Sequence, residues 1–172
     1  MILSLFMLLA VLAWAGVLSW VDFRTRLLPN WLTVGGAAVA LFLRLWTGGW
    51  SSCLDGFSAA SVAGAFLLIP FLMHGAGGGD VKMLFAAGAI AGCGKLFMLL
   101  WIMSVAGVVM GVMMLLLGYV DGARLQHTFR SLFDWRYDRV AGIKSLPPKE
   151  ATRGRMPFSV PIAVGLVTAL VW

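Results

Sequence analysis

This sequence predicts an all-α membrane protein with six transmembrane helices and a long cytoplasmic loop between helices five and six, and three observations carry that prediction. Of the 172 residues 61% are hydrophobic and 12% charged, against about 45 to 50% apolar and about 25% charged in a soluble domain. Apolar runs recur along the whole chain, and spans of about 20 residues with short loops allow roughly six crossings. Threaded alternately through a bilayer, those runs place eleven of the thirteen Lys and Arg residues on one side. Little is left over for a separate soluble domain, so residues 1–172 read as one polytopic membrane domain.

The first run, 2–21, reaches spanning length and has no Lys or Arg ahead of it. It therefore reads as a retained helix, although Ala13-Trp14-Ala15 loosely resembles a signal-peptide cleavage site. The second, 30–46, follows Pro29, which breaks a helix, and Asn30, which can cap the next. The third and fourth runs are 57–73 and 81–93, separated by GGGDVK, Gly77 to Lys82. The fifth is 96–118 and the sixth 157–172. Runs four and six are short, and each must borrow length from its flank or sit where the membrane is thin or wet.

Charge tests the count, because cytoplasmic connections carry the Lys and Arg excess. With an external N-terminus, the cytoplasmic set is Arg24 and Arg26 after the first span and Lys82 at the start of the fourth. It is completed by Arg124, Arg130, Arg136, Arg139, Lys144, Lys149, Arg153 and Arg155 between the last two spans. Only Arg44 and Lys95 fall on the other side. The net charge of +6 then serves orientation and contact with anionic lipid, and no nucleic acid partner is expected. Within 118–156, Leu125, Phe129, Leu132, Phe133 and Val140 recur at roughly helical spacing among charges. That is the pattern of an amphipathic helix on the membrane surface, a solvated basic loop being the alternative, and Pro147-Pro148 ends it. No long-period repeat supports an inverted-repeat transporter. Cys53 and Cys93 are too few and too far apart for a C-x-x-C pair or a four-cysteine zinc site. Both lie on the external side, where an oxidising compartment would permit a disulfide.

Ionisable groups in or beside a membrane are costly, so each one is a functional candidate. Asp121, Asp134, Asp138 and Glu150 lie in the long basic loop, where solvated charge is the natural reading, and Asp55 reads as an interfacial charge or an N-cap. Asp22 and Asp80 remain, 58 positions apart yet both at cytoplasmic helix ends. Two carboxyl groups that meet in a partly desolvated site do not both ionise easily, which leaves one base and one acid. Such a pair can activate water against a peptide carbonyl and protonate the leaving amine. Gly77, Gly78 and Gly79 would give the backbone before Asp80 access to positive φ and close approach. Lys82 has three open roles: pairing with a carboxylate, holding lipid phosphate or bracing the loop. The alternatives are a capping or boundary aspartate and a flexible glycine turn, and, at the level of function, a proton-coupled carrier or a non-catalytic assembly protein.

At these residues the sequence resembles the type IV prepilin peptidases, membrane aspartic peptidases of the G-x-G-D class. Gly77-Gly78-Gly79-Asp80 matches G-x-G-D and Val81-Lys82 extends it to G-x-G-D-x-K. Asp22, with Arg26, Leu28, Pro29 and Asn30 and then Leu32-Thr33, resembles the family's first aspartate motif. Met156-Pro157-Phe158 with Pro161 resembles its Pro-Phe-x-Pro start of the last helix. The resemblance covers nearly the whole chain. It implies Asp22 and Asp80 as the catalytic pair, with Gly77, Gly79, Lys82, Pro29 and Asn30 as supporting motif positions and no metal or other cofactor. It further implies an inner-membrane enzyme that cleaves the short basic leader of prepilin or pseudopilin precursors at the cytoplasmic face. The paired-cysteine region of larger members is absent from this sequence, so methyltransferase activity is not carried over. The compact form is similar to the stand-alone peptidases of Flp-type (tight adherence) pili and also to archaeal preflagellin peptidases.

Overall fold

The computed structural model describes residues 2–25, 28–72, 76–117 and 158–172, and among them every regular element is helical. In chain order these are α1 (Ile2–Thr25), α2 (Asn30–Leu72), α3 (Gly78–Ala91), α4 (Cys93–Leu116) and α5 (Ser159–Val171). The chain divides into two units, 1–108 with 156–172, and 109–155. Of the second, the structure describes only the last turns of α4 and Leu117. The surface helix anticipated around 125–140 lies outside the described residues, as do Met156 and Pro157.

Two of the helices, Asn30–Leu72 and Cys93–Met114, are long and apolar enough to cross a membrane; Phe6–Asp22 and Ser159–Val171 form shorter apolar segments. α2 holds a kink in which Gly49 takes φ 70° and ψ −166°, a left-handed conformation that glycine enters without the Cβ penalty. The anticipated second and third runs are thus the two arms of α2, 30–48 and 50–72. The expected connection over 47–56 is largely helical, since turning the chain takes a single glycine. Large apolar side chains face outward along these helices: Trp46 is 80% and Phe97 79% exposed. A water-facing surface does not carry so continuous an apolar face, and a lipid-facing one does.

The first unit closes around α3. Eight of its fourteen residues are buried, five of them the alanines and glycine Ala86, Ala87, Gly88, Ala89 and Ala91. At Gly88 an added Cβ would stand 2.8 Å from the Ala59 carbonyl oxygen and from the Ala63 side chain. The second arm of α2 therefore approaches α3 backbone to backbone. Between membrane helices, where lipid is as apolar as leucine, such close packing of small residues supplies the cohesion that burial supplies in water. Around it a core of Leu18, Leu67, Met83, Leu84, Leu99, Met103, Ile162 and Leu166 joins all five helices.

Polar groups gather at the two ends of this unit. At one end Arg44 donates to Asp55 Oδ2 at 2.9 Å, to the Ser52 carbonyl at 3.3 Å and to the Ile90 carbonyl at 3.2 Å. Lys95 donates to the Leu170 carbonyl at 3.1 Å. The two basic residues that fall outside the positive side are thus both engaged by carbonyls in the last turns of α3 and α5, where the helix dipole favours a cation. Asp55 is a mid-helix partner of Arg44 rather than an N-cap. Cys53 and Cys93 carry free thiols, with Cys93 Sγ 3.2 Å from Ser58 Oγ. The other end holds both candidate aspartates.

Candidate active site

Asp22 lies one turn before the end of α1 and is 6% exposed; Asp80 is the third residue of α3 and is 7% exposed. Burying a carboxyl group to this degree requires hydrogen-bonding partners. For Asp22 the partner comes from the far end of the chain: Ser159 Oγ, fully buried in the first turn of α5, donates to Asp22 Oδ2 at 2.5 Å. For Asp80, the Gly77 backbone N–H donates to Oδ2 at 3.0 Å. That bond is half of a capping box, with the carboxylate turned back over the helix start. The same position sets the Asp80 carboxyl at the positive end of the α3 dipole.

The turn after α1 meets the glycine segment directly. A Cβ on Gly79 would fall 2.9 Å from Leu28 Cβ and 3.2 Å from its Cδ1, and one on Gly77 would sit 3.0 Å from Asp80 Oδ2. Gly77 itself is extended, with φ −84° and ψ 149°, and positive φ occurs among the described residues only at Gly49 and Gly92. The expectation that these glycines supply left-handed backbone is therefore corrected. Gly79 and Gly77 serve instead to leave room for the Leu28 side chain and the Asp80 carboxylate, which occupy the space that a Cβ would take.

Of the three roles expected for Lys82, the structure shows a contact of the bracing kind. The Lys82 Nζ donates to Asn30 Oδ1 at 2.8 Å, bracing the start of α2 against the first turn of α3. Asn30 was expected to cap α2, but it is the first residue of that helix and its side-chain oxygen serves Lys82. Pro29 supplies the carbonyl that receives the Leu32 and Thr33 N–H groups at 3.1 and 3.2 Å, opening the helix. Trp14 Nε1 donates to the Leu32 carbonyl at 3.0 Å and ties the same turn back to α1. At the end of α1 the Arg24 guanidinium lies 4.9 Å from the Trp20 ring, a pair suited to a headgroup interface.

The described parts of all three sequence motifs therefore converge on one end of the unit. The first touches the second through Leu28 with Gly79 and Asn30 with Lys82, the third touches the first through Ser159 with Asp22, and α5 packs against both α1 and α3. Ser159 carries no signal in the sequence beyond its place between Phe158 and Pro161, where this chain has two residues, Ser159 and Val160. An open apolar groove of about 1080 Å³ also begins beside this end, at Trp31 and Leu32, and runs along α1 and the first arm of α2 to Arg44. Neither aspartate lines it. Chemically, the end of the unit presents two recessed carboxyl groups on separate helices, each held by a directed hydrogen bond.

The sequence model of the type IV leader peptidase family matches residues 9–112. That stretch contains Asp22, the 28–30 turn and Gly77 to Lys82, and stops short of Ser159. No curated protein and no solved structure matches the chain.

Proposed function

The chain belongs to the type IV leader peptidase family and is thus a protease, and from that premise we propose that it is an aspartic membrane endopeptidase using Asp22 and Asp80. In this reading it spans the inner membrane six times as a single peptidase domain, with α2 contributing two crossings. Its positive end faces the cytoplasm and anionic lipid. The substrate is a type IV prepilin-like or pseudopilin precursor, a short basic leader followed by an apolar helix. The helix lies in the bilayer while the scissile bond stands at the cytoplasmic boundary.

The observation that carries the reading is the burial of both carboxyl groups at one of the two polar ends of the unit. One carboxylate takes a proton from water as the water oxygen adds to the peptide carbon, and the other, protonated, carboxyl gives its proton to the carbonyl oxygen. The roles then reverse. The newly protonated carboxyl protonates the departing amine, and its partner takes a proton from the diol, so the pair returns to its starting state. A carrier would instead place its carboxylates at mid-membrane beside broken helices. Here α2 breaks at Gly49, far along the chain from either aspartate.

The test is cleavage of a synthetic precursor by the purified chain in phospholipid vesicles, with Asp22→Asn and Asp80→Asn assayed alongside. Loss of turnover in both, with unchanged melting, is the expected result. Full cleavage by both single variants would overturn the mechanism.

A further inference from the structure

We infer that Ser159 is a positioning residue for the reaction, holding Asp22 in its working orientation through every protonation state; the inference rests on the two-aspartate reading. The bond joins residues 137 positions apart, so the fold makes it rather than local sequence. Ser159 is entirely enclosed and Asp22 nearly so, which leaves little room for water to replace the hydroxyl.

The placement of Ser159 is rigid for identifiable reasons. It opens α5, where the Ile162 N–H bonds the Phe158 carbonyl at 3.1 Å. Further along, α5 is seated on α4 without slack, since a Cβ on Gly165 would fall 2.7 Å from the Leu99 carbonyl oxygen and 3.0 Å from Met103 Cβ. A site group carried by a packed helix is held more accurately than one carried by a loop. The start of α5 also presents the positive end of its dipole to the Asp22 side.

Chemistry explains why the residue should be a hydroxyl. In the cycle above each aspartate gains and loses a proton once per turnover. A backbone N–H or a lysine only donates, so it holds a carboxylic acid solely through the oxygen that carries no proton, whereas a serine hydroxyl donates to a carboxylate and also accepts from the O–H of the acid. Ser159 therefore stays bonded to Asp22 on both sides of the proton transfer. Asp22 keeps a partner throughout the chemical step, which keeps the reorganisation small.

The experiment uses the full chain in phospholipid vesicles and a synthetic precursor with a short basic leader ahead of an apolar helix. Ser159→Ala, Ser159→Thr, Asp22→Asn and Asp80→Asn are compared with the parent. Ser159→Ala is expected to lower kcat about 10- to 100-fold, the scale of one hydrogen bond to a charged group. KM should be unchanged, melting should fall by a few degrees because a buried carboxyl loses its partner, and Ser159→Thr, which keeps the hydroxyl, should recover most of the rate and of the melting. Wild-type kcat in Ser159→Ala, a defect confined to KM, or a loss that tracks melting and is not relieved by threonine would each overturn the assignment. If Ser159→Ala is silent while Asp22→Asn is inactive, this inference fails alone; if Asp22→Asn cleaves normally, the two-aspartate reading fails with it.

Discussion

Replacing Gly79 by alanine tests whether the contact between the 28–30 turn and the glycine segment governs the site. The added Cβ would stand 2.9 Å from Leu28 Cβ, about 0.6 to 1.1 Å inside normal carbon–carbon contact. Two effects oppose each other. Alanine in a helix gains up to about 1 kcal/mol over glycine, and less than that so near a helix start, while overpacking costs about 1–3 kcal/mol. Strain should win, leaving a net loss of about 1 kcal/mol and a melting temperature lower by about 2–4 °C. The larger effect falls on catalysis. If the shift is taken up at the turn, Asn30 moves off Lys82 and the first turn of α3 is displaced by most of an ångström, a scale at which enzymes lose about 100-fold in rate. The assay is precursor cleavage in vesicles with melting in parallel, and the control is the cycle with Leu28→Ala, which empties the space the new methyl requires. Gly79→Ala should cleave poorly on its own and be far better tolerated in the Leu28→Ala background. A Gly79→Ala variant that cleaves and melts like the parent, or one equally impaired with and without Leu28→Ala, would refute the steric account.

Further outcomes follow from other contacts. Asn30→Ala and Lys82→Met each remove the same 2.8 Å bond, so each should reduce kcat/KM by a few-fold, and the double variant should lose no more than either single one. Arg44→Ala removes donors to Asp55, Ser52 and Ile90 at the end away from the aspartates; it should cost about 1–3 kcal/mol in chemical denaturation, while the folded protein keeps its specific activity. Chelators should leave cleavage unchanged, since two carboxyl groups suffice for the proposed chemistry; inhibition that added zinc reverses would redirect it to a metal.

Much of the architecture can be read from the chain because membranes impose long apolar runs and charge asymmetry, and both are one-dimensional properties. The helix limits differ where a single residue decides them. Gly49 turns the chain so tightly that the expected connection is helix, and α3 begins at Gly78, three residues before the apolar run at 81, because its first turn is polar. Asp22 and Asp80 are legible as buried candidates, since few carboxyl groups occur outside the basic loop. The service rendered by Lys82, the steric need for Gly79 and the hydroxyl of Ser159 are not legible. Each depends on a partner at least 50 positions away, and composition is silent on which partner the fold selects.

The inward surface of α3, built of alanine and glycine, also shapes how freely the chain can diverge. Residues such as Trp46 and Phe97 stand exposed on the outer face, each beside one neighbouring ring, and are interchangeable with other bulky apolar residues. Gly88 has no such latitude, because a Cβ there would stand 2.8 Å from the Ala59 carbonyl oxygen, and the buried alanines beside it are closed off from the surface. Random substitution would therefore accumulate on the rim and be purged from the axis. A saturation scan of the protein should show a narrow intolerant stripe along the central helix that continues into the aspartate end, within a broad permissive coat.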